Sequence, residues 1–248
     1  MNHLPDRSFR KEPLGRRGFL TATLGLSATA TSALGMQLAP GEGALTKEER
    51  DRMTPAQVID ELKKGNERFR AGKMAPRNYL MEKRTSAAGQ YPAAVVHACL
   101  DSRVPAEIIF DAGIGDTFIS RVAGNVVNDD VLGSMEFGCA VAGAKLVVVL
   151  GHTACGAVKG AIDDVVFGNL TGLLARIKPA IKATTFDGEK SSKNYTYVDA
   201  VARTNVRLVV AQIRRRSTKL AALEEKGTID LVGAMYDLAN GVTEFLAD

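Results

Sequence analysis

Two short stretches carry residues able to do chemistry together: Cys99-Leu100-Asp101-Ser102-Arg103 and His152-Thr153-Ala154-Cys155-Gly156. Thiolate and imidazole are the natural ligands of a borderline-soft ion such as zinc. Two sulfurs and one nitrogen leave a fourth tetrahedral position, the pattern of catalytic rather than structural zinc. A closed structural site would need a fourth ligand, and the whole chain holds only three cysteines and three histidines. His3 belongs to the leader region. Cys139 lies among small apolar residues and reads as a buried, inert thiol. His97 sits inside an apolar strand, where a packed and hydrogen-bonded imidazole is the expectation. A Cys99–Cys155 disulfide is the competing pairing in an oxidising compartment, but it leaves His152, Asp101 and Arg103 without a purpose.

Asp101 and Arg103 stand two apart in one turn and can form a charge-assisted, bidentate pair. Beside a metal, the carboxylate can accept a hydrogen bond from bound water or ligate the ion itself. The arginine keeps it in place and ionised. As an isolated surface pair the two would be worth little.

Positioning these groups requires two strands whose carboxyl ends meet. Residues 93–98, 117–122 and 145–150 read as strands, the first and third of them buried and the third ended by Gly151. Cys99 follows the first and His152 the third, so parallel pairing brings them into the crevice where open α/β sheets bind ligands. Thr54-Pro55-Ala56-Gln57 has the form of a capping box with proline at the first helical position. Val58, Ile59, Leu62 and Phe69 then mark a helix ending about Gly72. Residues 73–90 form a polar helix-and-loop arm lying over a neighbour. Residues 135–143 read as a small-residue helix, and one or two more helices run from Gly156 to about Lys182. A long helix is expected over 197–226, stopped by Gly227. Residues 229–236 read as a late strand, and Asn240-Gly241 turns it into 242–246. The fold class is therefore α/β: a mainly parallel sheet flanked by helices, an antiparallel C-terminal hairpin at one edge, and an N-terminal helical arm.

The leader, residues 1–40, has a different composition. Arg16-Arg17-Gly18-Phe19-Leu20 precedes a weakly apolar run and is similar to a twin-arginine export signal, which implies a periplasmic protein. Thr21, Thr23, Ser27, Thr29, Thr31, Ser32 and Gln37 interrupt the run, so stable membrane insertion is not expected. The formal net charge is +4, but residues 1–36 carry five basic and two acidic side chains, so the domain over 45–248 is nearly neutral. With no aromatic stripe among its basic residues, nucleic acid is not an expected partner.

The paired motifs resemble the β-class carbonic anhydrases. Gly65-Asn66-x-x-Phe69, Arg121-Val122-Ala123-Gly124-Asn125 and Tyr236-Asp237-Leu238 extend the resemblance over nearly the whole domain. It implies one zinc ion per subunit on Cys99, His152 and Cys155, with Asp101 and Arg103 as the gating dyad. Gly156 would offer its backbone N–H to bicarbonate. Gln90 stands where the plant-like, open-site members carry a substrate-orienting glutamine. Val96 and Ala98 replace the tryptophan and glycine of the closed members, so the resemblance is to the open type. Phe118 and Phe137 match two aromatic pocket positions usually supplied by a partner subunit, with Phe137 replacing a common tyrosine. Val104 adds to the apolar wall.

The activity implied is reversible hydration of carbon dioxide to bicarbonate and a proton, by attack of zinc-bound hydroxide. Hydrolysis of carbonyl sulfide or carbon disulfide on the same scaffold, and a non-catalytic zinc or bicarbonate-binding protein, are the alternatives. A homodimer is implied, with a tetramer as its extension.

Overall fold

The computed structural model describes residues 43–247, and within them the apolar runs form one sheet. Its strands are β1 (Ala94–Ala98), β2 (Thr117–Arg121), β3 (Leu146–His152), β4 (Asp230–Tyr236) and β5 (Thr243–Leu246). Their order is β2-β1-β3-β4-β5, with β5 alone antiparallel. β1 and β3 are buried along their whole length, which is why both are continuous apolar runs and not alternating ones.

Successive residues of these strands face opposite layers. Val95, Val147 and Val149 enter one core, while Ala94, Val96, Ala98, Leu146, Val148 and Leu150 enter the other. Helices α1 (Lys47–Arg52), α2 (Pro55–Arg70), α3 (Tyr79–Ser86) and α4 (Ala106–Ile109) precede β2. Val58 and Leu62 of α2 and Ile109 of α4 cover the second core. Next come α5 (Asp129–Glu136), α6 (Gly156–Ile162), α7 (Gly168–Ala175), α8 (Lys178–Ala183), α9 (Tyr195–Arg216) and α10 (Thr218–Glu225). Val198, Val201, Val206, Val209 and Ile213 of α9 cover the first core.

Gly65 and Asn66 show why α2 lies where it does. A Cβ at Gly65 would stand 1.9 Å from the Phe110 carbonyl oxygen, so only glycine permits this approach of α2 to the end of α4. The buried Asn66 amide donates to the carbonyls of Ile109 and Gly241, at 3.2 and 2.9 Å, and its oxygen accepts from Thr243 N at 2.9 Å. One side chain thereby joins α2, α4 and the closing hairpin.

Strand order places a switch point between β1 and β3. The chain leaves β1 toward β2 and leaves β3 toward β4, so the two loops diverge and open a crevice at the carboxyl ends.

Four expectations are corrected. β3 does not stop at Gly151: Gly151 pairs with Met235 and His152 with Tyr236, so the ladder carries the histidine itself. The helix expected at 135–143 starts at Asp129, capped by Asn128 accepting from Val131 N, and passes into a π-helical turn over Phe137–Val141. The helix expected over 197–226 is two. Ser217 leaves helical geometry and caps α10 by accepting from Leu220 N, while its hydroxyl donates to Glu136 at 2.5 Å. The segment from Gly156 to Lys182 holds three short helices, α6 to α8, where one or two were expected.

The arm over 73–90 is anchored on its own chain. Arg77 meets Glu82, Asp111 and Asp116, and Glu82 accepts from Ile114 N at 2.9 Å. Tyr79 and Leu80 remain exposed on its outer side. No helix among the described residues is long and apolar enough to cross a membrane. The leader and its paired arginines lie outside the described residues.

Candidate metal centre

Cys99 follows the last residue of β1, His152 ends β3, and Cys155 caps the start of α6. Because β1 and β3 are adjacent and parallel, these positions converge although Cys99 and His152 lie 53 positions apart along the chain. Cys99 Sγ and Cys155 Sγ are 4.0 Å apart, and one ligand atom from each of the three side chains lies within 4.8 Å of the others. Tetrahedral bonds of about 2.3 Å from zinc to sulfur require sulfurs about 3.8 Å apart. The spacing fits a shared ion and is far too long for a disulfide. All three cysteines are free thiols.

His152 is completely buried. Its Nδ1 lies 2.9 Å from the Thr153 carbonyl oxygen, which can only accept, so the proton is on Nδ1. Nε2 is left with its lone pair, buried and without a hydrogen-bond partner. A second-nitrogen hydrogen bond of this kind is how proteins select the tautomer of a metal-ligating histidine.

The sulfurs have matching electrostatics. The Cys155 thiol pushes Cys99 down, and the Gly124 N–H donates to its sulfur at 3.2 Å. Cys99 and burial push Cys155 up, against the amides of Val158 and Ala157 at the start of α6. Two buried sulfurs this close resist ionising together, and a divalent cation between them is what would allow it. The donor set therefore fits zinc.

Asp101 and Arg103 form the expected fork. Arg103 Nε donates to Oδ1 at 2.9 Å and Nη2 to Oδ2 at 2.8 Å, while the Arg103 amide donates to Oδ1 at 3.0 Å. The guanidinium holds the Asp101 carboxyl well below the usual carboxylate range. Asp101 Oδ2 stands 3.9 Å from His152 Nε2, so the ionised carboxylate borders the ligand set.

Sequence reasoning missed the role of Arg121. Its Nε donates to Cys99 O at 2.9 Å and its Nη2 to Asp101 O, tying both motif residues to the end of β2. The signal was available in the strand pairing, since Arg121 lies opposite Ala98.

The remaining site residues are distributed differently. Gly156 is exposed at the first position of α6, with open space where a Cβ would be. Val104 closes the Asp101 turn through its amide at 3.0 Å, but its side chain is fully buried in the second core. Gln90 lines a separate hollow of about 400 Å³ with Ser86–Gly89, Ile114 and Gly115. Phe118 and Phe137 stand edge to face, centroids 6.2 Å apart, along another hollow of about 660 Å³. No ligand residue lines either hollow. Within one chain, Gln90, Phe118 and Phe137 are not brought to the three ligands. His97 is as expected: its ring nitrogens meet Ser120 Oγ and Val126 O, both at 3.1 Å, and burial pushes it toward the neutral form. Burial pushes the Cys139 thiol up to about 12, which keeps it inert.

A parallel α/β sheet whose switch point brings two cysteines and one histidine within 4.8 Å of one another fits a zinc enzyme of the open-sheet type. Comparison with known proteins narrows this. The carbonic anhydrase family model matches residues 94–243. Carbonic anhydrase 2 of Mycobacterium tuberculosis is 38% identical over 193 residues, spanning 75% of this chain and 90% of that one. Carbonic anhydrase of Mycolicibacterium smegmatis is 40% identical over 196 residues, spanning 77% and 92%. The fold is similar to a tetrameric β-carbonic anhydrase from the ascomycete Sordaria macrospora, at a TM-score of 0.59 and 22% identity over 78% of this chain and 95% of that one. The chain belongs to the β-class carbonic anhydrase family.

Proposed function

We propose that this protein catalyses the reversible hydration of carbon dioxide to bicarbonate and a proton. The observation that carries the reading is the forked Arg103–Asp101 pair bordering an unpartnered, buried His152 Nε2. Cys99, His152 and Cys155 would hold one zinc ion per subunit. The ion supplies an acidified water, its pKa lowered from about 15.7 toward roughly 7–9.

The chain's own residues do the rest. Asp101, kept ionised by Arg103, can only accept a hydrogen bond. It therefore orients the attacking water with a proton toward the carboxylate and a lone pair toward the substrate carbon. Both Asp101 oxygens are engaged by the guanidinium, which holds the carboxylate 3.9 Å from His152 Nε2 and would keep it from ligating the ion. Gly156, with nothing above its Cα, leaves the first amide of α6 free for an oxygen of bicarbonate. Gln90, Phe118 and Phe137 would reach the ligands of a second subunit in a homodimer. Phe137 and Val141, 51% and 74% exposed, give that contact an apolar surface.

The purified protein should convert carbon dioxide to bicarbonate in a stopped-flow pH-indicator assay and release no sulfide from carbonyl sulfide or carbon disulfide. Sulfide release without carbon dioxide hydration would transfer the activity to the sulfur analogues. Neither reaction in a zinc-loaded protein would leave a binding role.

The same reading extends to residues 1–40 as a twin-arginine signal and to a periplasmic location. Arg16→Lys with Arg17→Lys is expected to trap the protein in the cytoplasm, judged by cell fractionation; undiminished export removes the signal. The pathway requires paired arginines, and lysine keeps the charge.

A further inference from the structure

Two residues beside the ligands have left-handed backbones. Gly124, φ +65, directs its N–H at Cys99 Sγ. Ala154, φ +55, lies between His152 and Cys155, in a region that a residue with a Cβ adopts only at a cost. Something must hold Ala154 there, because it sets the direction in which Cys155 leaves β3.

Both are held from the same helix. The Asp199 carboxylate of α9 accepts the Ala154 N–H at 2.7 Å, and the buried Asn205 amide, further along α9, donates to Gly124 O at 2.9 Å. The neighbouring residue is anchored separately: Thr153 N donates to Tyr236 O at 3.0 Å, and its hydroxyl accepts from Leu238 N at 3.0 Å. Asp199 is thus the only side chain among the described residues bonded to the Ala154 amide. Neither Asp199 nor Asn205 is itself among the three candidate ligands.

We infer that α9 sets the metal site from outside, and that Asp199 is the positioning residue for the His152–Cys155 loop. The inference rests on the zinc reading above. A charged acceptor on a rigid helix holds the amide of the strained residue, and the left-handed turn held in this way sets the distance between nitrogen and sulfur. Side chains that orient ligands in this way change metal affinity by roughly ten- to hundredfold when removed.

The test is zinc release to a chromogenic chelator, with zinc content of the starting protein measured by atomic emission. Asp199→Ala should release zinc roughly ten- to hundredfold faster, and Asp199→Asn, which keeps the accepting oxygen, should stay near the wild-type rate. In the cobalt-substituted protein, Asp199→Ala should shift the thiolate-to-cobalt absorption while the melting temperature of the metal-free protein stays put. If Asp199→Ala is poorly folded, the pair Ala154→Gly with Asp199→Ala carries the test. Glycine adopts the left-handed backbone freely, so the pair should recover most of the retention lost. Wild-type release from Asp199→Ala, or no recovery in the pair, overturns the clamp while leaving the zinc reading intact. A wild-type protein that takes up no zinc overturns that reading and the clamp with it.

Discussion

Cys155→Ser should leave a folded protein that cannot keep its metal. Structural zinc sites bind with about 10–16 kcal/mol, so one ligand of four is worth roughly 3–4 kcal/mol, or about 10²–10³ in affinity. Cys155 occupies the N-cap position of α6 without a side-chain cap bond, and serine is favoured there, so the substitution spares the helix. The remaining Cys99 loses the partner that pushes it toward thiolate, which weakens the site further. Zinc per chain after dialysis against a mild chelator should fall from one toward zero, and carbon dioxide hydration should fall with it. A fully loaded and active Cys155→Ser would remove this cysteine from the ligand set.

Arg103→Met should do the opposite: keep the zinc and lose the turnover. Without the fork, Asp101 is free to turn its Oδ2, already 3.9 Å from His152 Nε2, toward the metal. A carboxylate that ligated the ion would take the place of the water that has to react. A drop of roughly 10²–10³ in kcat/KM is expected from the lost orientation. Arg103→Lys should fall between, since an ammonium keeps the charge but not the two parallel bonds.

The pH profile separates this from damage to the fold. Arg103 depresses the Asp101 carboxyl, so the wild-type pair is intact above the ordinary carboxylate range and is lost only as pH falls through the lowered value. Removing Arg103 raises Asp101 toward its ordinary value, about 3.9. Both values lie below the roughly 7–9 of the acidified water that sets the acid limb of kcat/KM, so in Arg103→Met the limb should stay in place and the loss should persist at every pH above it. Arg103 is 57% exposed, and exposed ion pairs add little to folding, so the melting temperature should scarcely change. Full activity in Arg103→Met would show that Asp101 needs no partner.

Much of this architecture is legible along the chain because its causes are local. The capping box at Thr54 and Gln57 is present as its residue types require. Apolar runs without alternation are read directly as strands covered on both faces. Where local rules failed, a distant partner had intervened. Ser217 breaks the long helix with its hydroxyl on Glu136, 81 residues away. Gly151 stays in the ladder because β4 pairs with it, overriding glycine's weak preference for strands.

By itself the sequence determined the donor types, their local spacing, the Asp101–Arg103 fork and the strands that end in them, since each is written within a few residues. Only the tertiary structure decided that Cys99 and Cys155 approach to 4.0 Å, that Arg121 braces the Cys99 turn, and that α9 reaches Ala154. It also decided that Gln90, Phe118 and Phe137 stand apart from the ligands of their own chain. The physical reason is strand order: convergence across 53 positions depends on which strands lie side by side, and no local preference encodes that.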